Sequence, residues 1–288
     1  MSLAIPPPFL EFIIESTDSE PTVLVPCAGF ESGEWRRNSL VAHAIEWLPE
    51  FALSYSEWSN ISHESAVNAL ARAAQKIHQS DKSASRGELG ELLLHIVLRQ
   101  HWGTVPAISK IHFKDGPNET VKGFDSFHVS VDSEGSFDLW MGESKLYTDG
   151  KSAIRNVATE ISDHMELGYL KNEFSFILPK LDNQWEHTEA LSSLLGKNTS
   201  LDLIFPLIHI PVFITFDSSA VAANSKHGEQ YFEELNSEIL ELQQYFNSKS
   251  PSLSAEVSIH LIFLPVKNKK ELVQRWDTSL SVLQEVLK

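Results

Sequence analysis

Between Gly123 and Leu146 the sequence alternates with period two on either side of one tight turn, and no other stretch restricts the fold as strongly. A strand sends successive side chains to opposite faces. Asp125, Phe127, Val129 and Val131 therefore share one face of a first strand, and Phe137, Leu139, Met141, Glu143 and Lys145 share one face of a second. Ser133-Glu134-Gly135 has the form of a three-residue hairpin loop, a type I turn closed by a left-handed glycine, with Asp132 paired to Ser136. That loop sets the register: Val131 faces Phe137, Val129 faces Leu139, Phe127 faces Met141 and Asp125 faces Glu143. The shared apolar face ends in two acids and a lysine.

Directly opposed residues have Cβ atoms about 4.5–5.5 Å apart, and two like charges there destabilise a sheet unless something offsets the repulsion. A divalent cation does so. Hard ions such as Mg²⁺ take carboxylate oxygens and keep several waters, which suits two acids beside a phosphate, and Mn²⁺ can substitute. Lys145, two residues after Glu143, projects on the same face, where it could orient or deprotonate a water or stabilise charge on a transferring phosphoryl group.

Gly123-Phe124-Asp125 followed by Glu143-Ser144-Lys145 resembles the PD-(D/E)xK nuclease motif, with Phe124 in the proline position. That superfamily also places an acid on the preceding helix, and Arg86-Gly87-Glu88-Leu89-Gly90-Glu91 matches such a helix start. Ser85 and Glu88 have the spacing of a capping box, which gives Glu88 a structural task and leaves Glu91 as the candidate third acid. The set expected to form the site is thus Asp125, Glu143, Lys145 and Glu91, with Asp125, Glu143 and Glu91 as metal ligands. A Glu-x-Lys triplet alone is expected about once or twice by chance in a chain of this size. Its weight comes from the conjunction with Asp125 across the hairpin and an acid-bearing helix before it. Without chemistry, Lys145 would simply pair with Glu143 or Asp125, and the fold would be a silent module that binds a partner or nucleic acid.

Around the hairpin, strands are expected at Phe9 to Glu15, Thr22 to Val25, Lys110 to Phe113, Phe174 to Leu178, Ile210 to Phe216 and Val257 to Val266. Helices are expected at Asn38 to Trp47, His63 to Gln79, Ser85 to His101, Lys151 to Leu167, Glu229 to Phe246 and Lys269 to Leu287. Strands alternating with helices make this an α/β chain with a mixed central sheet flanked by helices. The polar run Ser80 to Ser85 suggests a boundary near residue 80, dividing an N-terminal α/β extension (1–80) from a nuclease-like domain (81–288).

No apolar run approaches the roughly 20 residues of a membrane span, and the start has no secretory signal, so the expected setting is the cytoplasm, without membrane contact. The single cysteine, Cys27, agrees with a reducing compartment. Lys151 and Arg155, four residues apart on the helix after the hairpin, are candidates for contact with DNA phosphates, and Lys110, Lys114 and Lys122 could extend a local basic patch. His95, His101, His112, His128 and His164 show no tight metal spacing and are assigned ordinary surface or core roles. The absence of a Gly-rich phosphate loop argues against ATP hydrolysis by this chain. Acidic residues outnumber basic ones 39 to 23, for a net charge of −16. A protein that holds DNA by itself usually presents a basic face, so a partner supplying the grip is one natural answer.

Over its whole length the order of features resembles the HamA family, nuclease subunits of the two-component Hachiman anti-phage defence system. Arg86 to Glu91, Lys122 to Asp125, Gly142 to Lys145 and the late run Ile259 to Pro265 carry the likeness. The resemblance implies a restriction-endonuclease-like core, DNA as substrate, and a superfamily-2 helicase partner, HamB, that restrains the nuclease until activation.

Overall fold

A computed structural model describes residues 5–18, 20–78, 85–109, 123–249 and 257–286. The chain begins with β1 (Glu11–Ser16), β2 (Thr22–Cys27) and a small hairpin, β3 (Phe30–Glu31) and β4 (Glu34–Trp35). Helices α1 (Arg37–Glu46), α2 (Leu48–Ala52), α3 (Tyr55–Trp58), α4 (Ala66–His78) and α5 (Ser85–His101) follow. Next come β5 (Val105–Ser109), β6 (Ser126–Val131) and β7 (Phe137–Leu146), then α6 (Gly150–His164), α7 (Leu167–Ile177), α8 (Thr188–Leu194) and α9 (Leu201–Ile204). The chain continues with β8 (Ile208–Asp217), α10 (Ser219–Ala223), α11 (Glu229–Lys249), β9 (Ser258–Val266) and α12 (Lys269–Glu285).

Seven strands form one sheet in the order β1-β2-β9-β8-β7-β6-β5. Its middle, β2-β9-β8-β7, is parallel, and its flanks are antiparallel. The parallel strands need cover on both faces, which is why β8 and β9 read as near-continuous apolar runs rather than alternating ones. On one face lies α5, whose Leu89, Leu92, Leu93, Leu94, Ile96, Val97 and Leu98 are all buried. A helix apolar around most of its circumference has to sit between two layers, and α1, α2, α4 and α12 form the outer one. The opposite face carries α6, with α11 packed outside it. The result is the expected α/β architecture, a mixed sheet flanked by helices and consistent with a nuclease-like core.

Residues before position 80 are part of this sheet: Val23 of β2 pairs with Leu261 of β9, and Gln284 of α12 donates to the carbonyl of Ala74 in α4 (3.1 Å). The polar run at the expected boundary, like the strand expected at Lys110 to Phe113, lies largely outside the described residues. One expected strand is corrected. Phe174 to Leu178 is not extended but forms the end of α7 and the start of a short 3-10 turn, Leu178–Lys180. Leu170, Phe174 and Ile177 are buried at helical spacing, whereas Phe176 between the last two is 64% exposed. A short apolar run carries too little periodicity of its own to separate the two states. Among the described residues, no helix is long and apolar enough to cross a membrane.

Candidate active site

The hairpin register is the one its loop dictates. Val131 pairs with Phe137, Val129 with Leu139 and Phe127 with Met141, the Asp132 N–H donates to Ser136, and Gly135 takes φ +85°. Asp125 enters just before β6, with its N–H donating to the carbonyl of Gly142 (2.9 Å). Its Oδ2 accepts from the Ser144 N–H (2.8 Å) and the Ser144 hydroxyl (3.2 Å), which fixes the carboxylate beside the turn of strand carrying Glu143. Gly123 makes this entry possible. Its φ is +149°, and a Cβ there would meet the Glu173 carboxylate at 2.5 Å, while Glu173 in turn accepts from the Phe124 N–H (3.2 Å).

Glu143 and Lys145 point to the face covered by α6. Glu143 is 2% exposed and Asp125 7%. The Lys145 ammonium contacts Glu160 of α6 at 2.5 Å and Glu143 Oε2 at 3.5 Å. His164, one helical turn after Glu160, brings Nδ1 to 2.9 Å from Glu143 Oε1. The spacing of an exposed-looking acid and a histidine four apart on α6 thus matches the two-residue spacing of Glu143 and Lys145 on the strand below. His164, given an ordinary surface or core role from the sequence, lies against Glu143 in this cluster. Its only sequence signal was that shared helix face with Glu160.

Electrostatics follow from this packing. Burial, then the charge of Asp125, raises the Glu143 carboxyl to about 7, against the opposing pull of His164 and Lys145. For Lys145 burial is the largest single influence and favours the neutral amine, but Glu143, Asp125 and Glu160 together outweigh it and raise the pKa. Lys145 is an ammonium near neutral pH.

A divalent cation fits this donor set. Two buried carboxylates are held in like-charge proximity, and Asp125 raises the Glu143 pKa even with His164 and Lys145 beside it. Among the described residues no three of His, Cys, Asp and Glu already close on one point. A hard ion that keeps much of its water shell needs only one or two protein carboxylates.

The family model described as HamA matches residues 7–280. The chain belongs to the HamA family. A HamA relative, "Hachiman protein HamA" of Bacillus cereus, is 25% identical over 199 residues, covering 66% of this chain and 70% of that protein.

In this HamA chain Glu91 is half-buried on α5. Its helix meets β7 through Gly90 and Leu94, which lie against Ser144 and Gly142 on the face opposite Glu143 and Lys145. Glu88 is the more deeply buried of the two acids, and the Ser85 side chain expected to cap it lies outside the described residues. Lys151 and Arg155 stand apart from the acids, since Lys151 is about 20 Å along the α6 axis from His164. Lys151 pairs with Glu241 (2.5 Å) and Arg155 bonds the Tyr245 hydroxyl (3.2 Å), both on α11. Lys110, Lys114 and Lys122 fall outside the described residues.

Proposed function

We propose that the protein is a divalent-metal-dependent DNA nuclease, the effector subunit of a Hachiman anti-phage defence complex that includes a helicase. The observation that carries the reading is the buried Asp125–Glu143 pair with Lys145 on the same face, a pairing of like charges that keeps the Glu143 pKa raised even with the Lys145 ammonium beside it, and that a divalent cation would relieve. Membership of the HamA family supports the defence role, and the net charge of −16 supports reliance on a partner for the grip on DNA.

Asp125 and Glu143 would hold the cation, Mg²⁺ with Mn²⁺ as a substitute, and Glu91 would serve as a further ligand or water holder. When bound, such an ion polarises a phosphoryl oxygen and lowers the pKa of a ligated water. Lys145, protonated by virtue of Glu143, Asp125 and Glu160, stabilises negative charge on the attacked phosphate and is unsuited to removing a proton from water. Asp125 is held by Ser144 so that one oxygen is committed to the strand and the carboxylate cannot rotate away. The test is loss of plasmid DNA in Mg²⁺ or Mn²⁺, with the helicase partner present. Activity is expected for the unaltered chain and absent from the Glu143→Ala, Lys145→Ala double variant. Equal cleavage by both would sink the proposal.

A further inference from the structure

His164, Glu160, Asn156 and Ser152 follow one another at four-residue intervals on α6 and so share one face, about 6 Å between successive members. Below them Glu143, Lys145 and Tyr147 share one face of β7 and its continuation, about 6.6 Å between successive members. The alternation carries on to Tyr147 because its N–H still donates to Thr215 of β8 (3.3 Å). The two rows run antiparallel and in step. His164 meets Glu143 (2.9 Å), Glu160 meets Lys145 (2.5 Å) and Asn156 donates to the Tyr147 hydroxyl (2.7 Å). This ladder leads from the buried Glu143 out to the half-buried Tyr147 and the exposed Asn156.

Aromatic rings and cations gather at the outer end. Arg155 donates through one nitrogen to the Ser152 hydroxyl (2.6 Å) and through another to the hydroxyl of Tyr245 on α11 (3.2 Å). Lys151 and Lys249 stand over the same Tyr245 ring, 5.7 and 5.4 Å from its centroid, and Lys269 of α12 stands 5.8 Å from the centroid of Tyr147. A cation over an aromatic face is met about once per 70–80 residues. Two on one ring therefore mark a local concentration of positive charge, in a chain whose net charge is −16. The acids that border the patch are already engaged: Asp149 accepts from the Ser152 N–H (2.7 Å), Asp217 from the Lys269 N–H (2.6 Å), and Glu241 pairs with Lys151 (2.5 Å).

We propose that Tyr147 and Tyr245, with Lys151, Arg155, Lys249 and Lys269, form a track that holds single-stranded DNA on its way to Glu143 and Lys145. The track deepens the nuclease reading above and rests on it for where the strand leads. Single strands bind where aromatic faces take unpaired bases and flanking cations follow the backbone, a mode that needs no particular sequence. A base that stacks on Tyr245 takes the place of a lysine over the ring, and the lysine turns to the adjacent phosphate. Duplex DNA keeps its bases inside the helix and cannot use the rings in this way.

The experiment uses the full chain at low salt with a chelator, so that binding is read without cleavage, and a thymidine oligonucleotide carrying iodouracil bases. Photo-crosslinks mapped by mass spectrometry are expected at Tyr147 and Tyr245. By fluorescence anisotropy, Tyr147→Ala and Tyr245→Ala each weaken binding at least about fivefold, and Lys249→Gln flattens the slope of log affinity against log salt by about 0.7. Tyr245→Phe keeps the ring and most of the affinity, which separates stacking from a disturbed fold. A duplex of the same length binds more weakly and is indifferent to the tyrosine substitutions. No binding at low salt, crosslinks confined to other residues, or tyrosine variants that bind like the unaltered chain overturn the track and leave the nuclease reading standing. Tyrosine-dependent binding without metal-dependent loss of plasmid in the assay above overturns the nuclease reading alone.

Discussion

Burial and the neighbouring Asp125 raise the Glu143 carboxyl to about 7, so without metal this residue works against the fold. Below pH 4.5 Glu143 is protonated in both the folded and unfolded chain and costs nothing. As pH rises toward 7 the unfolded chain releases the proton first, and the folded state loses up to about 3 kcal/mol, a loss complete above pH 7. Glu143→Gln should therefore raise the melting temperature of chelator-treated protein at pH 8 and leave it nearly unchanged at pH 4. A lower melting temperature at pH 8 would contradict the placement of Glu143 beside an ionised Asp125. Such a position was legible from the sequence because the hairpin loop sets a register and the register sets the face. His164 was not legible. Spacing on a helix says which residues share a face, but not that α6 would lie over the strand bearing Glu143, and a lone histidine among twelve carries no such information.

At the level of elements, the site depends on how closely α5 approaches β7 from behind. A Cβ at Gly142 would come within 2.4 Å of Ser126 Oγ and 2.7 Å of Leu94 Cδ2, so the strand bearing Glu143 and Lys145 must present bare backbone to the helix at that point. Gly142→Ala is expected to destabilise the protein by about 1–3 kcal/mol, as overpacked cores do. Urea unfolding measures this, and an unchanged midpoint would rule out the close contact. The strong helices and the β8 and β9 strands could be read from sequence because each has either a long periodic pattern or a long apolar run. The stretch Phe174 to Leu178 could not, since five apolar-rich residues fit the last turn of a helix as well as a strand. Likewise Lys151 and Arg155 share a helix face as expected, yet that face turns toward α11.

For the whole molecule, one sheet joins the N-terminal strands to the acid cluster, so stress far from the site reaches the same cooperative core. Near the starts of β7, β8 and β9, Trp140 stacks on His209 (4.4 Å) and His260 (5.1 Å), with Trp102 against both Trp140 and His260. His260 bonds Thr22 of β2 (2.8 Å) and His209 (2.9 Å). Burial, then His209 and His101, lowers the His260 pKa to about 4. The sign is opposite to that of Glu143. The neutral ring's contribution is present in full above pH 6.5 and is lost as pH falls toward 4, where the folded state finally accepts the proton, a change of up to about 3 kcal/mol. His260→Gln should flatten the decline in melting temperature between pH 6.5 and 4. An unaltered acid slope would remove His260 from the explanation.

The central claim is that the buried carboxylates of Asp125 and Glu143 hold a catalytic cation, and anomalous diffraction from crystals grown with Mn²⁺ tests it most directly. The expected result is an anomalous peak within ligand distance of oxygens from both Asp125 and Glu143, absent from Asp125→Ala crystals grown the same way. Well-ordered carboxylates with no peak between them at saturating Mn²⁺ would contradict it.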